Sequence, residues 1–103
     1  MKGMNEMIRQ AQIMQRKMTQ KQDELKAMEV EASSGGGMVT VKATGGQEIT
    51  AVIIEPSVVE SGDVEMIQDL VLTAANEALK KAKELTEKEL ASVTGGLSIP
   101  GLF

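Results

Sequence analysis

The residues of this chain that could do chemistry are carboxylates, lysines and arginines, because histidine, cysteine, tyrosine and tryptophan are all absent. That removes imidazole acid–base catalysis, thiol nucleophiles, disulfides and thiolate metal ligands. Glu29 with Glu31, and Glu84 with Glu87, have the spacing of carboxylate pairs that could share a proton or hold Mg²⁺. Solvated helix charge is the weightier reading of both pairs, since carboxylates are common on exposed helix faces. Lysine or serine could act as a nucleophile, but no partner pattern marks one. The sequence is read as that of a non-enzyme with no catalytic residue, no metal site and no cofactor.

The basic residues are better organised. Lys2, Arg9 and Arg16 recur seven apart, and Lys17 and Lys21 broaden the patch. If wholly helical, the stripe spans about 21 Å at ~1.5 Å per residue, which suits a helix lying along a phosphate track. A second group, Lys80, Lys81 and Lys83, is diluted by Glu77, Glu84 and Glu87. From spacing alone, a solubilising face outweighs a binding face. The single aromatic, Phe103, offers no series of rings for base stacking. No short recognition helix for the major groove is evident. Double-stranded DNA, if bound, would be held by phosphate and shape, with low sequence specificity.

An apolar stripe lies opposite the cations. In heptads, Met4, Ala11, Met18 and Leu25 fall at a, and Met7, Met14 and Met28 at d, while Lys2, Arg9 and Arg16 fall at f. This period lays one helix against another, so these seven residues form an expected packing or dimer seam. Methionine is also flexible and polarizable, which would suit an adaptable groove for protein partners. Lys21 breaks the seam at a d position, where its stem can cover apolar surface while its ammonium reaches water.

At 103 residues with a formal charge of −4, the chain fits one domain with a modest core. The net charge argues weakly against a nucleic-acid partner, but it is unevenly spread. Residues 1–26 hold six basic and three acidic groups, a balance of +3. Residues 27–79 hold one basic and nine acidic groups, −8, and residues 80–103 hold four and three, +1. No apolar run approaches the ~20 residues of a membrane span. A cytoplasmic protein without membrane contact is expected.

The expected architecture is α+β: a long N-terminal helix, an antiparallel β-hairpin or small sheet, and a long C-terminal helix. The single domain divides into a helix over 4–29, a glycine-rich joint over 33–37, a hairpin over 38–55, a helix over 63–91 and a tail over 92–103. Three successive glycines, Gly35 to Gly37, read as a hinge between helix and strand. Gly45-Gly46 reads as a two-residue turn, which would set Val41 opposite Thr50 and Val39 opposite Val52. Ile49, Ala51 and Ile53 would then line the face away from Val39, Val41 and Ala43, so both faces would need cover. Pro56 ends the strand, Ser57 to Gly62 connect, and Asp63 is a candidate N-cap.

Several segments, taken in order, resemble the YbaB/EbfC family of nucleoid-associated proteins. They are Met4 to Met18, the Gly35–Gly37 joint into Met38-Val39-Thr40-Val41, Ile54-Glu55-Pro56-Ser57, the stretch 66–82, and Thr94-Gly95-Gly96-Leu97 with Pro100-Gly101. The resemblance covers nearly the whole chain and rests on order and spacing rather than on one motif. It implies a homodimer with protruding helical arms, DNA binding in the cytoplasm, and a role in nucleoid organisation or gene regulation. It implies that the arms contact DNA, which here falls on Lys2, Arg9, Arg16, Lys17 and Lys21, with Lys80, Lys81 and Lys83 as a second group. The alternative it leaves open is an accessory factor for recombination or replication proteins that binds DNA weakly.

Overall fold

Alternation overtakes the heptad after Leu25. From Glu29 to Ser34 the residues alternate between polar and small or apolar, Glu-Val-Glu-Ala-Ser-Ser, which is the period of a half-buried strand. The computed structural model, which describes residues 2–95 apart from the Lys2 side chain, accordingly ends the first helix, α1, at Leu25 (Lys2–Leu25). A strand, β1, follows over Glu29–Ser34. The helix expected to reach 29 is thus four residues shorter. The joint expected over 33–37 divides between the end of β1 and a hairpin turn. Gly35, Gly36 and Gly37 have φ of 60°, 68° and 97°, a left-handed run that favours glycine. A Cβ on Gly35 would also lie 2.8 Å from Leu70 Cδ2.

β2 (Val39–Thr44) and β3 (Ile49–Ile54) complete a three-stranded antiparallel sheet in the order β1-β2-β3. The second hairpin uses the longer turn 45–48. Gln47 has φ of 66°, and Thr44 N–H donates to the Glu48 carbonyl at 2.9 Å. Val39 therefore pairs with Ile54 and Val41 with Val52, two residues off the register a two-residue turn would give. A bulge between Lys42 and Ala43 absorbs the irregularity.

A short helix, α2 (Pro56–Glu60), opens on the proline that ends β3. The long helix α3 (Val64–Thr94) follows, its first turn capped by Asp63, whose side chain accepts from Met66 N–H at 3.0 Å. It ends at Gly95 in the left-handed conformation, so residues 92–94, expected in the tail, belong to the helix. The rest of the expected tail, 96–103, lies outside the described residues.

α3 packs across β1 and β2. Ala74, Ala78 and Ala82 are fully buried against Val39, Val41 and Ala43, with Ala32 beside them. Alanine at every fourth position lets the helix backbone approach the sheet closely. Ser34 Oγ ties the two layers by donating to the Leu70 carbonyl at 2.6 Å. β3 lies mostly beyond this cover: Val52, on the α3 side of the sheet, is 48% exposed. The opposite face does not need the cover expected from a two-stranded hairpin, because β1 and β2 supply it with Glu31, Ser33, Thr40 and Lys42. Ala51 and Ile53 add the apolar part.

Candidate nucleic-acid interface

A second, smaller core sets α1 against α3. It comprises Met18, Leu25 and Leu90, with Met28, Leu85 and Val93 packed around them. Gly45 is the common point. Its N–H donates to the Met28 carbonyl at 3.0 Å, and its carbonyl accepts from Thr86 Oγ1 at 2.7 Å. A Cβ there would lie 2.7 Å from the Leu25 carbonyl oxygen, so α1 leaves no room for a larger residue.

From that point the helices run antiparallel and in step. Leu25 and Thr86 meet at Gly45, Lys21 lies 3.2 Å from Glu89, and Lys17 shares a surface with Ser92 and Val93. Gly95 is then level with about residue 15, and residues 2–14 continue for about 20 Å beyond the end of α3. This extension makes an arm on a molecule 72 × 20 × 17 Å in extent.

The seam residues separate at the same level. Met18 and Leu25 are buried and Met14 and Met28 are half-buried. Ala11, Met7 and Met4 are exposed, Met7 at 73%. Met28 lies just past α1 but still packs on the second core.

The predicted cations fall into three environments. Arg9, Arg16 and Lys17 are exposed on the arm and at its root. Arg9 lies 3.7 Å from Glu6, an exposed pair of little strength that a phosphate could displace. Arg16 sits on an open face with Gln12, Gln15, Thr19 and Gln20. Lys21 is different: it is half-buried between Glu24 at 3.3 Å and Glu89 at 3.2 Å, so its charge already has partners. Lys80 and Lys83 are exposed where α3 crosses the sheet, and Lys81 Nζ donates to the Glu31 carbonyl at 3.1 Å. That group is not brought beside Arg16. Along α3 it lies roughly 17 Å or more from the level of Arg16. Lys88, absent from the predicted set, is exposed on α3 alongside α1. Its position follows from the antiparallel pairing, which no local spacing announces. The side chain of Lys2 lies outside the described residues.

The hydrogen bond to Glu89, and then that to Glu24, raise the Lys21 pKa above the ordinary lysine value, against the opposing cost of desolvation. A raised folded-state pKa stabilises the fold fully below the unfolded value and is lost as pH climbs through the folded one. Above about pH 10.5, therefore, the thermal midpoint of the native chain should fall more steeply than that of a Glu89→Gln variant. Parallel pH profiles of the two would show that the pair contributes nothing.

Folding also sorts the charge by length. α1 and the second half of α3 lie side by side, which puts the two cationic segments of the sequence at one end. The anionic segment forms the sheet and the first half of α3 at the other. Glu29, Glu31, Glu84 and Glu87 are all exposed. Among the described residues, no three acidic groups gather in a metal-holding arrangement, and no helix is long and apolar enough to cross a membrane.

The model of the YbaB/EbfC DNA-binding family matches residues 1–97. The chain belongs to that family. A nucleoid-associated protein of Acetivibrio thermocellus is 55% identical over 102 residues, covering 98% of this chain and 90% of the relative. One from Alkaliphilus metalliredigens is 51% identical, covering 98% and 89%. The crystal structure of an uncharacterized protein from Helicobacter pylori superposes with a TM-score of 0.64 at 30% identity, over 80% of this chain and 94% of that one. The expected α+β architecture of a long helix, a hairpin or small antiparallel sheet and a second long helix is the one seen here, with the small sheet three-stranded.

Proposed function

We infer that this chain is a DNA-binding protein of the nucleoid, working in the cytoplasm as a homodimer whose helical arms grip duplex phosphates with little sequence preference. The lengthwise separation of charge carries this reading. An overall acidic chain presents Arg9, Arg16 and Lys17 on a projecting helix, away from the carboxylates at the sheet end. Lys88 would join them, with Lys80 and Lys83 as a more distant group. Lys21 would hold the two helices together rather than contact DNA.

Family membership favours this reading over the accessory-factor alternative. Support for a second copy comes from β3, where Ile49, Val52 and Ile53 are each 41–49% exposed and Val59, Val64 and Leu72 add further uncovered apolar surface. A second copy would cover apolar side chains that this edge strand leaves exposed on both faces of the sheet. Two arms related by a two-fold axis would double the phosphate contacts. Such a complex would organise DNA or influence gene expression through shape rather than base readout.

The test is binding to labelled duplexes of about 30 base pairs, longer than the 72 Å molecule at ~3.4 Å per pair, across a salt series. Unrelated sequences should bind alike, with log affinity falling linearly in log salt. Absence of binding even at low salt would overturn the proposal.

A further inference from the structure

The heptad seam of α1 is used over its second half, where Met18 and Leu25 are buried against α3. Its first half is left open: Met4 is 59% exposed, Met7 73% and the neighbouring Ile8 52%. Ala11 is exposed with them. We propose that this open half is a self-docking surface, on which the arm of a second copy lies antiparallel, about a two-fold axis level with Arg9.

The position of α3 decides the direction. Beyond about residue 15, the line that a docked helix would follow along the seam is already occupied by α3, packed on Met18 and Leu25. A parallel copy would run its own residues 16–25 into that helix. An antiparallel copy brings only its tip to the level of Gly95 and sends the rest of its α1 away past Met4. The open length, residues 2–14 or about 20 Å of helix, is also the length that one free arm can cover.

The spacing of the seam fits the same arrangement. Antiparallel helices set a positions against d positions. Centred on residue 9, Met4 faces the copy's Met14 and Met7 faces the copy's Ala11, and both contacts repeat across the axis. Large meets small in the two inner layers. A parallel pair would stack Ala11 on Ala11 and leave a gap. Beside the seam, Ile8 at e meets its own equivalent, and Gln10 at g does the same on the other flank. Lys17, the one charged flanking residue of the overlap, lies opposite the copy's Gly3. No like charges face each other, which removes the usual penalty on pairing identical helices.

Arg9 and Arg16, at f, stay outside the pair, and the pairing does not depend on DNA binding. Four seam side chains and Ile8 per copy make a contact well short of the ~800 Å² per partner of a stable interface, so the arms associate reversibly. If copies are also joined through β3, arm pairing links one dimer to the next. That consequence rests on the homodimer inferred above; the pairing itself does not.

The chain has no cysteine, so introduced thiols report the contact through disulfides, which form only where Cα atoms come within about 7 Å. The full chain is oxidised mildly without DNA. Met4→Cys mixed with Met14→Cys should give disulfide-linked pairs of the two variants. Neither should link to itself, since like positions lie about 15 Å apart along an antiparallel pair. Met7→Cys mixed with Ala11→Cys should link too, and both of those side chains are exposed, so this result stands even if the half-buried Met14 site disturbs folding. Arg9→Cys, level with the axis but on the outer face, should not link to itself. Mixed pairs that form no faster than Arg9→Cys pairs would overturn the proposal. Self-linking of Met4→Cys in preference to the mixed pair would overturn it too, by making the arms parallel.

Discussion

Replacing Arg9 and Arg16 with glutamine should weaken duplex binding about 60-fold at 0.1 M salt for each arm engaged. The estimate follows from counterion release. A slope of about −0.9 in log affinity per neutralised phosphate corresponds to roughly eightfold per contact at that salt, and two contacts multiply. The salt slope should therefore flatten by about 1.8 per arm. Folding should be unaffected, since both side chains are exposed and the only ion pair of either, Arg9 with Glu6 at 3.7 Å, is a weak surface one among the described residues. Charge reversal to glutamate should cost more, by adding repulsion. The comparison that gives the result its meaning is Lys80→Gln with Lys83→Gln. Those lysines carry the same charge, on the far side of Thr86 from the arm. If they matter as much as the arginines, the duplex lies along the sheet end as well. If the arginine variant binds like the native chain, the arm is not the contact face. Lys21→Gln should behave differently again, lowering stability through the loss of Glu89 and Glu24 while leaving the salt slope nearly unchanged.

The arm was legible in the sequence because both of its signals are periodic. Seven-residue spacing of Met4, Ala11, Met18 and Leu25 fixes a helix, and the same spacing of Lys2, Arg9 and Arg16 fixes the opposite face. The end of that helix was not legible from composition. Met28 continues the heptad, and Glu29 to Ala32 contain good helix formers, so local propensity favours helix there. Tertiary packing decides otherwise: Ala32 and Ser34 are buried under α3, and only a strand presents alternate residues to one side. Gly35 to Gly37 read as a hinge only when no strand precedes them; with β1 in place the left-handed run is a hairpin turn. The Lys21–Glu89 pair spans 68 residues, and nothing in local spacing announces it. It appears only once α1 and α3 are known to be antiparallel. Met18 and Leu25 pack on a second helix, but spacing alone cannot say whether the helix along such a seam belongs to the same chain.

Leu25→Ala should be the most damaging single change outside the main core, at about 2–5 kcal/mol. Leu25 is 2% exposed and sits between α1, α3 and the Gly45 turn. With ~4–8 °C per kcal/mol for a domain near this size, the thermal midpoint should fall roughly 8–40 °C. The surroundings cannot easily close the cavity. Gly45 is held on one side by the Met28 carbonyl and on the other by Thr86, and has no side chain to move in. Cluster size sharpens the expectation. The second core has three buried members and shares none with the sheet–α3 core. Its loss should detach α1 while β1, β2 and α3 stay packed, giving unfolding in two steps. Val41→Ala, a truncation in the main core, should instead lower one cooperative transition. Amide exchange resolved by residue distinguishes the two, with α1 losing protection first in the Leu25 variant. DNA binding then asks a further question, because Leu25→Ala alters no charge. If affinity falls at a temperature where the sheet and α3 remain folded, the arginines need a fixed arm and their placement matters as much as their number. If affinity holds, a loosely tethered cationic helix suffices, and the antiparallel docking serves stability alone.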